Sequence, residues 1–524
     1  MRTAIKTSLV LALAALPLAG SGCSFLGLDK LPQTECSYDA MHHSICDDLG
    51  TISPTADTCH TWQCNTQTHH CEVMLRDDDH DGAPNMMCAS SGADCDDAAN
   101  WNHPGGTETC DGRDNDCNGV PDDGVLLMGA GTTTATINGG TEQQLVGGQI
   151  DSDDAAVFDR YSSPFSIGRV LVSSSGPMAT PQSLSLPTMS TTLPVNGSLP
   201  LATAGVGGSR YAAVVGVSTV PMSSGMTCQQ WAVLPSATTS TSLSVGTMDH
   251  AFLPACPASG PQFLSLPAVA GVATEPLLVG WLAGRTDPMS PRMCGAAMAL
   301  PVSLGGARFG MTAITTATTT TTLGSSVDIT PPALLRVGAS AFLVAYPLMD
   351  HSIEIRRVTI TPTLDVTDGG VVYTEAAGAS ARQQVRLALG PTDMASGHTT
   401  VALSFVDGCD VASNIVVRWL DLSGSTLTSA GATASTGTGN GRSAVEASWQ
   451  ARSSQWLVTW STGLNLMGQR FGTDRAAIGD AFMIGASSTS AHVQPLAAGP
   501  LWMATLPASN SIGVVTFGCQ APAM

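Results

Sequence analysis

Over residues 125–524 the chain alternates between short apolar runs and polar, turn-forming stretches, and no run carries a helical period. The apolar runs share a signature of β-branched and aromatic residues. Val214 and Val215 sit in 211–217, and further runs go from Leu277 to Trp281, Phe342 to Tyr346, Val401 to Phe405, Trp456 to Trp460 and Leu501 to Thr505. Such runs bounded by Gly, Pro, Ser and Thr read as strands. Several are followed by a second run carrying arginine, at Arg169, at Arg356 and Arg357, at Arg418 and at Arg470. Phe342 to Arg356 and Trp456 to Arg470 are the same step of fourteen residues. With Val157 as an early member there are seven candidate units, spaced unevenly. One small twisted sheet cannot bury both its faces, whereas a ring of sheets can. The expectation is therefore a mainly β chain ending in a large β-propeller of six to eight blades, with tandem β-sandwiches as the alternative.

The N-terminal pattern differs. Arg2 and Lys6 precede an apolar stretch from Leu9 to Leu18 that is too short for a permanent span, which reads as a signal peptide over 1–22. Small residues then lead into Cys23, as in a bacterial lipobox, although Gly20 stands where leucine is usual. Cleavage after Ser21 is the rival. The chain has 15 cysteines, and lipidating Cys23 leaves an even number to pair in an oxidising compartment. Residues 23–35 then form the lipidation site and tether. No later apolar run is long enough to span, so the membrane is expected to be reached through the lipid anchor only. Ser24, rather than an aspartate, after Cys23 points to the outer membrane.

Residues 36–74 read as a Cys-rich module. Cys36, Cys46, Cys59, Cys64 and Cys71 are interspersed with His42, His43, His60, His69 and His70, but close zinc-type pairs are lacking, so disulfides are the expectation. Nine cysteines lie from Cys36 to Cys117 and five beyond (Cys228, Cys256, Cys294, Cys409 and Cys519). Both groups are odd, so complete pairing requires a bridge between them.

Charge singles out residues 75–124. Of the chain's 41 acids, thirteen fall within 77–123, beside Arg113 as the one basic residue there, and the whole chain has a net charge of −20. Such crowding repels itself unless a cation sits among the carboxylates. Asp77, Asp79, Asp81 and Gly82 occupy positions 1, 3, 5 and 6 of an EF-hand-like calcium loop, and Asp114, Asp116, Asn118 and Gly119 repeat that register, with Asp122 at position 9. Position 12 is Cys88 in the first loop and Val125 in the second, so neither loop has its bidentate glutamate. Asp94, Asp96, Asp97 and Asp111 are the candidates to complete the ligand set, with Cys88, Cys95, Cys110 and Cys117 as disulfide candidates holding the loops.

The series D-x-D-x-D-G, C, D-C-D-D, P-G, E-x-C-D-G-x-D-N-D-C-N-G, carried by residues 77–119, resembles the metal-binding motif family of bacterial secreted and surface proteins named for the copper-binding protein MopE. The resemblance covers 77–124, about a tenth of the chain, and implies an exported metal-binding surface protein. Carboxylate oxygens suit calcium. Copper prefers the softer donors that His80, His103, Met86 and Met87 supply nearby, with Trp101 beside them.

No nucleophile elbow, zinc-protease helix, phosphate loop, dinucleotide fingerprint or Asp-box is present, and acids of the large domain (Asp151, Asp153, Asp154, Glu275, Glu354, Glu375, Glu446) are scattered. The acidic balance argues against nucleic acid as a partner. The expectation is a non-catalytic, lipid-anchored surface protein, at the outer membrane or outside it, in which calcium stiffens a module presenting a propeller to a protein or glycan. The alternatives are copper acquisition and a propeller-type polysaccharide hydrolase or lyase.

Overall fold

The computed structural model describes the N-terminal region over 36–37, 45–48, 58–88, 93–109 and 113–119, and the region 126–519 mainly through its strands. Side-chain surroundings are described mostly within 58–119 and from 268 onward. Residues 1–35, with Cys23, lie outside this description, as do Cys110, Asp111 and Asp122. Chain contacts divide the molecule into one unit of 1–107 with 114–119 and another of 108–113 with 120–524.

The first unit is built on a hairpin of β1 (His60–Asn65) and β2 (His70–Leu75), paired so that Cys64 faces Cys71. The Asn65 side chain accepts from the backbone N–H of Gln67 and Thr68, and His69 turns the chain with φ 58°. This is how a side-chain amide substitutes for backbone partners in a turn. Disulfides Cys36–Cys64 and Cys46–Cys71 cross the hairpin, and these four half-cystines with Trp62 are its core. Cys59–Cys88 and Cys95–Cys117 fasten the aspartate-rich chain beyond Leu75.

The second unit contains seven antiparallel sheets among the described residues, each of four to six strands and no α-helix. Six of them are each made of consecutive strands. In the seventh, Val493–Pro495, Leu501–Ala508 and Ser511–Cys519 are completed by Leu126–Leu127 and Ala135–Asn138, which both pair with Ser511–Cys519. The inner edges form a circuit. Glu142–Val146 neighbours Leu201–Gly205, which neighbours Ala268–Ala270, and the series continues through Ala333–Arg336, Arg382–Thr392, Ser443–Gln450 and Val493–Pro495 back to Glu142–Val146.

The apolar runs of the sequence are the second strands of these sheets: Ala155–Ser162, Arg210–Pro221, Leu277–Gly284, Ala341–Pro347, Thr399–Asp407, Gln455–Ser461 and Leu501–Ala508. Ala341–Pro347 and Gln455–Ser461 are buried at every position. A sheet covered on both faces has no solvent side, so alternation disappears. Alternate residues feed different cores: Phe342, Val344 and Tyr346 pack toward the preceding sheet, with Leu304 and Val302, while Leu343 and Ala345 pack toward the next, with Leu403 and Phe405. Trp419, Trp456 and Phe471 fill the following interface, with Trp419 and Trp456 ring centroids 5.1 Å apart. Burying each such side chain contributes roughly 1.5–3 kcal/mol. Packing is close enough that a Cβ on Gly390 would collide with the indole of Trp456.

The arginine-bearing runs are third strands, but the shared fourteen-residue step is not a structural repeat. Arg356 lies opposite Val344, two places into its partner's apolar run, whereas Arg470 lies opposite Leu457, one place in. Five residues separate paired Pro347 and Ile353 and four separate Ser461 and Leu466, so the turn shifts the register by one and turns the side chain to the other face. Arg356 therefore pairs with Glu354 and Asp368 near the surface, and Arg470 is buried. Arg418 instead reaches back to Glu375 of the preceding sheet, Nε to Oε1 2.8 Å.

Candidate metal centre

The two aspartate loops have the same local geometry. In the first, Gly82 N–H donates to Asp77 Oδ2 (3.1 Å), and in the second Gly119 N–H donates to Asp114 Oδ2 (2.7 Å). Position 4 is left-handed in both, at His80 (φ 62°) and Cys117 (φ 55°), and position 6 is a glycine with φ 98° or 94°. A positive φ at a non-glycine residue is uncommon, and a glycine is needed where the turn closes. Each loop thus folds back onto its first carboxylate.

The first loop is then closed from outside itself. The bridge between Asn85 and Asp94, with Asp94 N–H on Pro84 O at 2.9 Å, brings the D-C-D-D segment against the loop. Carboxylate oxygens of Asp79, Asp81 and Asp94 come within 4.8 Å of one another, and so do those of Asp77, Asp79 and Asp97. Asp97 is anchored by Asp78 N–H and by the Asn85 amide, both at 2.8 Å. Asp94 is 1% exposed; its Oδ1 accepts Asp96 N–H at 2.8 Å. Four oxygens, Asp77 Oδ1, Asp79 Oδ2, Asp81 Oδ2 and Asp94 Oδ2, are buried with no hydrogen-bond partner. Buried polar atoms are almost always paired, and an unpaired carboxylate oxygen costs more than a neutral one. A cation among them removes that cost.

Electrostatics agree. Burial, then the charges of Asp81 and Asp94, push the Asp79 carboxyl up to about 7. Burial first, and the neighbouring Asp81, Asp97 and Asp96 charges after it, push Asp94 up to about 6, and burial also raises Asp77. These groups ionise reluctantly without a counter-charge, as carboxylates sharing one site do. Oxygen-only donors of this kind suit a hard cation of six to eight ligands, with water or backbone oxygens completing the shell.

Other sequence candidates are placed differently. Asp96 Oδ2 accepts from Asn102 at 3.2 Å, and Asp96 belongs to neither carboxylate group. Asp114 and Asp116 both accept from Asn118 N–H, so the second loop is folded on itself, and the Cys95–Cys117 disulfide ties it to the Asp94 segment. Cys88 is bonded to Cys59, so position 12 of the first loop supplies no ligand. Asp78, the one loop acid outside the ligand register, is held by Arg76 in a two-pronged ion pair (2.6–2.9 Å). Among the described residues, no group of three or more converging His, Cys, Asp or Glu side chains includes a histidine. Met86 and Met87, at 60% and 89% exposed, point to solvent.

The family described as "Putative metal-binding motif", of MopE copper-binding type, matches residues 94–123. A metal-binding motif is therefore present. With four disulfides it marks an extracellular or surface protein. No curated protein matches the chain. Among similar solved structures are the Dos1 propeller (11% identity, 70% of this chain and 75% of that one, TM-score 0.36), prolyl oligopeptidase B of Galerina marginata (8%, 74% and 52%, 0.37) and a sialidase of Trypanosoma rangeli (9%, 71% and 53%, 0.32).

The expectation of a non-catalytic protein is corrected at this point. Two of those three similar structures are enzymes, and the absence of a local sequence motif is no ground for denying an activity. Likenesses at 8 and 9% identity establish none either. Motifs of the kind sought are local in sequence, whereas residues on the inner strands of separate sheets meet only in the folded chain.

Proposed function

We propose that this is an exported surface protein in which a calcium-stabilised, disulfide-held module (36–124) is joined to a seven-bladed β-propeller (125–524) that recognises a protein or glycan. The observation that carries the calcium reading is the set of four buried, unpartnered carboxylate oxygens on Asp77, Asp79, Asp81 and Asp94. Asp97 completes that ion's side-chain ligands, and Asp114, Asp116 and Asn118 form a second calcium loop. Calcium that binds only the folded module adds its binding free energy to folding. The closed circuit of seven sheets supports seven blades over tandem sandwiches. In this reading 1–22 is a leader, and a lipid on Cys23 would hold the chain at the outer membrane.

Metal analysis and calorimetric calcium titration of the full oxidised chain test this, beside the Asp79→Ala, Asp116→Ala double variant. At least one tightly bound calcium per chain, lost in the variant, is the expected result. Copper bound in its place and unaffected by the substitutions would sink the reading, and so would the absence of any bound metal. Recognition is tested separately, by binding of the full chain to arrayed glycans and peptides. Binding that survives Asp79→Ala belongs to the large domain.

A further inference from the structure

Between the fifth and sixth sheets lies a cleft of about 650 Å³. Protein interiors pack to near-crystalline density, and voids larger than a water molecule are few. This one is about twenty times the volume a water occupies in the liquid, and within the usual range of small-ligand pockets. Its floor is apolar: Ile415, Val417 and Val458 are 2% exposed or less, and Trp460 and Phe471 are 4% and 7% exposed. Its mouth is open and lined by the small side chains of Thr433, Ser435, Ala477 and Ala481. Apolar walls facing empty space lose their dispersion contacts, and water there finds few partners.

One polar group in the wall narrows the chemistry. Arg475 lines the cleft, with Nη2 on Asp421 Oδ1 at 2.6 Å and Nη1 on Ala430 O. Its Nε is buried and has no hydrogen-bond partner. Asp421 already neutralises the guanidinium, and the buried Nε lies out of a ligand's reach, so the wall offers an anion no free charge. Gln469 also lines the cleft, but its amide is tied to the backbone of Arg470, Ile478 and Gly479. We infer that this inter-sheet cleft binds an uncharged small molecule with a flat or elongated apolar body. The site is independent of the metal module and goes beyond recognition of a protein or glycan by the large domain.

The probe is prodan, a neutral naphthalene carrying a propionyl carbonyl, titrated into the full oxidised chain. Saturable binding of one probe per chain with blue-shifted emission is expected, and energy transfer from tryptophan should accompany it. Ala481→Trp, at an exposed position of the mouth, fills the entrance and weakens binding at least about tenfold, equivalent to ~1.4 kcal/mol. An unchanged melting temperature shows that the variant has kept its fold. Ala477→Trp, at another exposed position of the mouth, stands in for it otherwise. Binding that is unsaturable, or equally strong in the folded mouth-filling variants, overturns the assignment.

Discussion

The two units solve the same problem by opposite means. The first has a core of four half-cystines and Trp62, and its remaining buried groups are largely polar. The second holds its sheets together with apolar clusters such as that of Leu343, Leu403 and Phe405 or that of Trp419, Trp456 and Phe471. A short segment cannot bury enough apolar surface to offset the entropy of ordering its chain, so cross-links and ions substitute for a core. A long chain of small sheets has apolar surface enough to be held by packing. What holds each unit determines which reagent undoes it.

Reduction gives the largest expected difference. Losing a native disulfide in a small module costs ~2–5 kcal/mol, and all four described bridges lie in the first unit. After thiol treatment, hydrogen exchange followed by mass spectrometry should show rapid exchange over 58–119, while strands 341–347 and 455–461 stay protected. Loss of protection in both would show that the units stand or fall together. The converse perturbation is Gly390→Ala, which forces a methyl group into Trp456 and should cost ~1–3 kcal/mol. Thermal unfolding should lose several degrees in the large domain with calcium affinity unaltered.

Asp94→Asn is a smaller test. It removes one charge from the buried cluster while keeping the shape, and calcium affinity should fall about tenfold, since affinity follows the ligand charge count. Isothermal calorimetry reads this directly, and an unchanged affinity would place the ion elsewhere.

The smallest effect lies in the large domain and concerns pH. Glu446, on an inner strand, is pushed up to about 7 by burial, against the opposing pull of Val493 N–H and Arg386. His492, with Nδ1 3.8 Å from Glu446 Oε2, is pushed down to about 4 by burial and then by Arg386. The folded state binds more protons at Glu446, so its stabilising share is present below the ordinary carboxylate range and lost as pH rises through about 7. At His492 the unfolded state binds more, so that share is present above the ordinary histidine range and lost as pH falls through about 4. The two oppose each other, so their summed contribution to the large domain should change little from pH 4 to 7. Glu446→Gln should unmask a loss toward acid, and His492→Gln a loss toward neutral pH, both read as melting temperature against pH.

The second strands were legible because burial on both faces writes them as unbroken apolar runs, and the loops because carboxylates at fixed spacing with a glycine leave few other readings. First strands such as Ser443–Gln450 were not, since they mix Glu446 with Trp449 and pair through an irregular register. Arginine spacing misled for a physical reason: one residue more in the turn before Ile353 than before Leu466 sends Arg356 and Arg470 to opposite faces. At the metal centre, Asp94 and Asp96 looked alike in sequence. Only the Asn85–Asp94 bridge separates them, aiming the first into the cluster and leaving the second to Asn102. The cleft beside Arg475 left no trace in sequence, because it is made by the spacing of two sheets.

The seventh sheet joins Leu126–Leu127 and Ala135–Asn138 to Ser511–Cys519. In a chain synthesised and exported from its N-terminus, those early strands wait for a partner that arrives after every other described strand of the domain. The fold then acts as a completion check: the seam stays open, with an unpaired edge exposed to proteases and to neighbouring chains, until that partner has crossed. A nonsense mutation before Ser511 would accordingly be felt at the opposite end of the domain, as an orphaned pair of strands rather than as a missing tail.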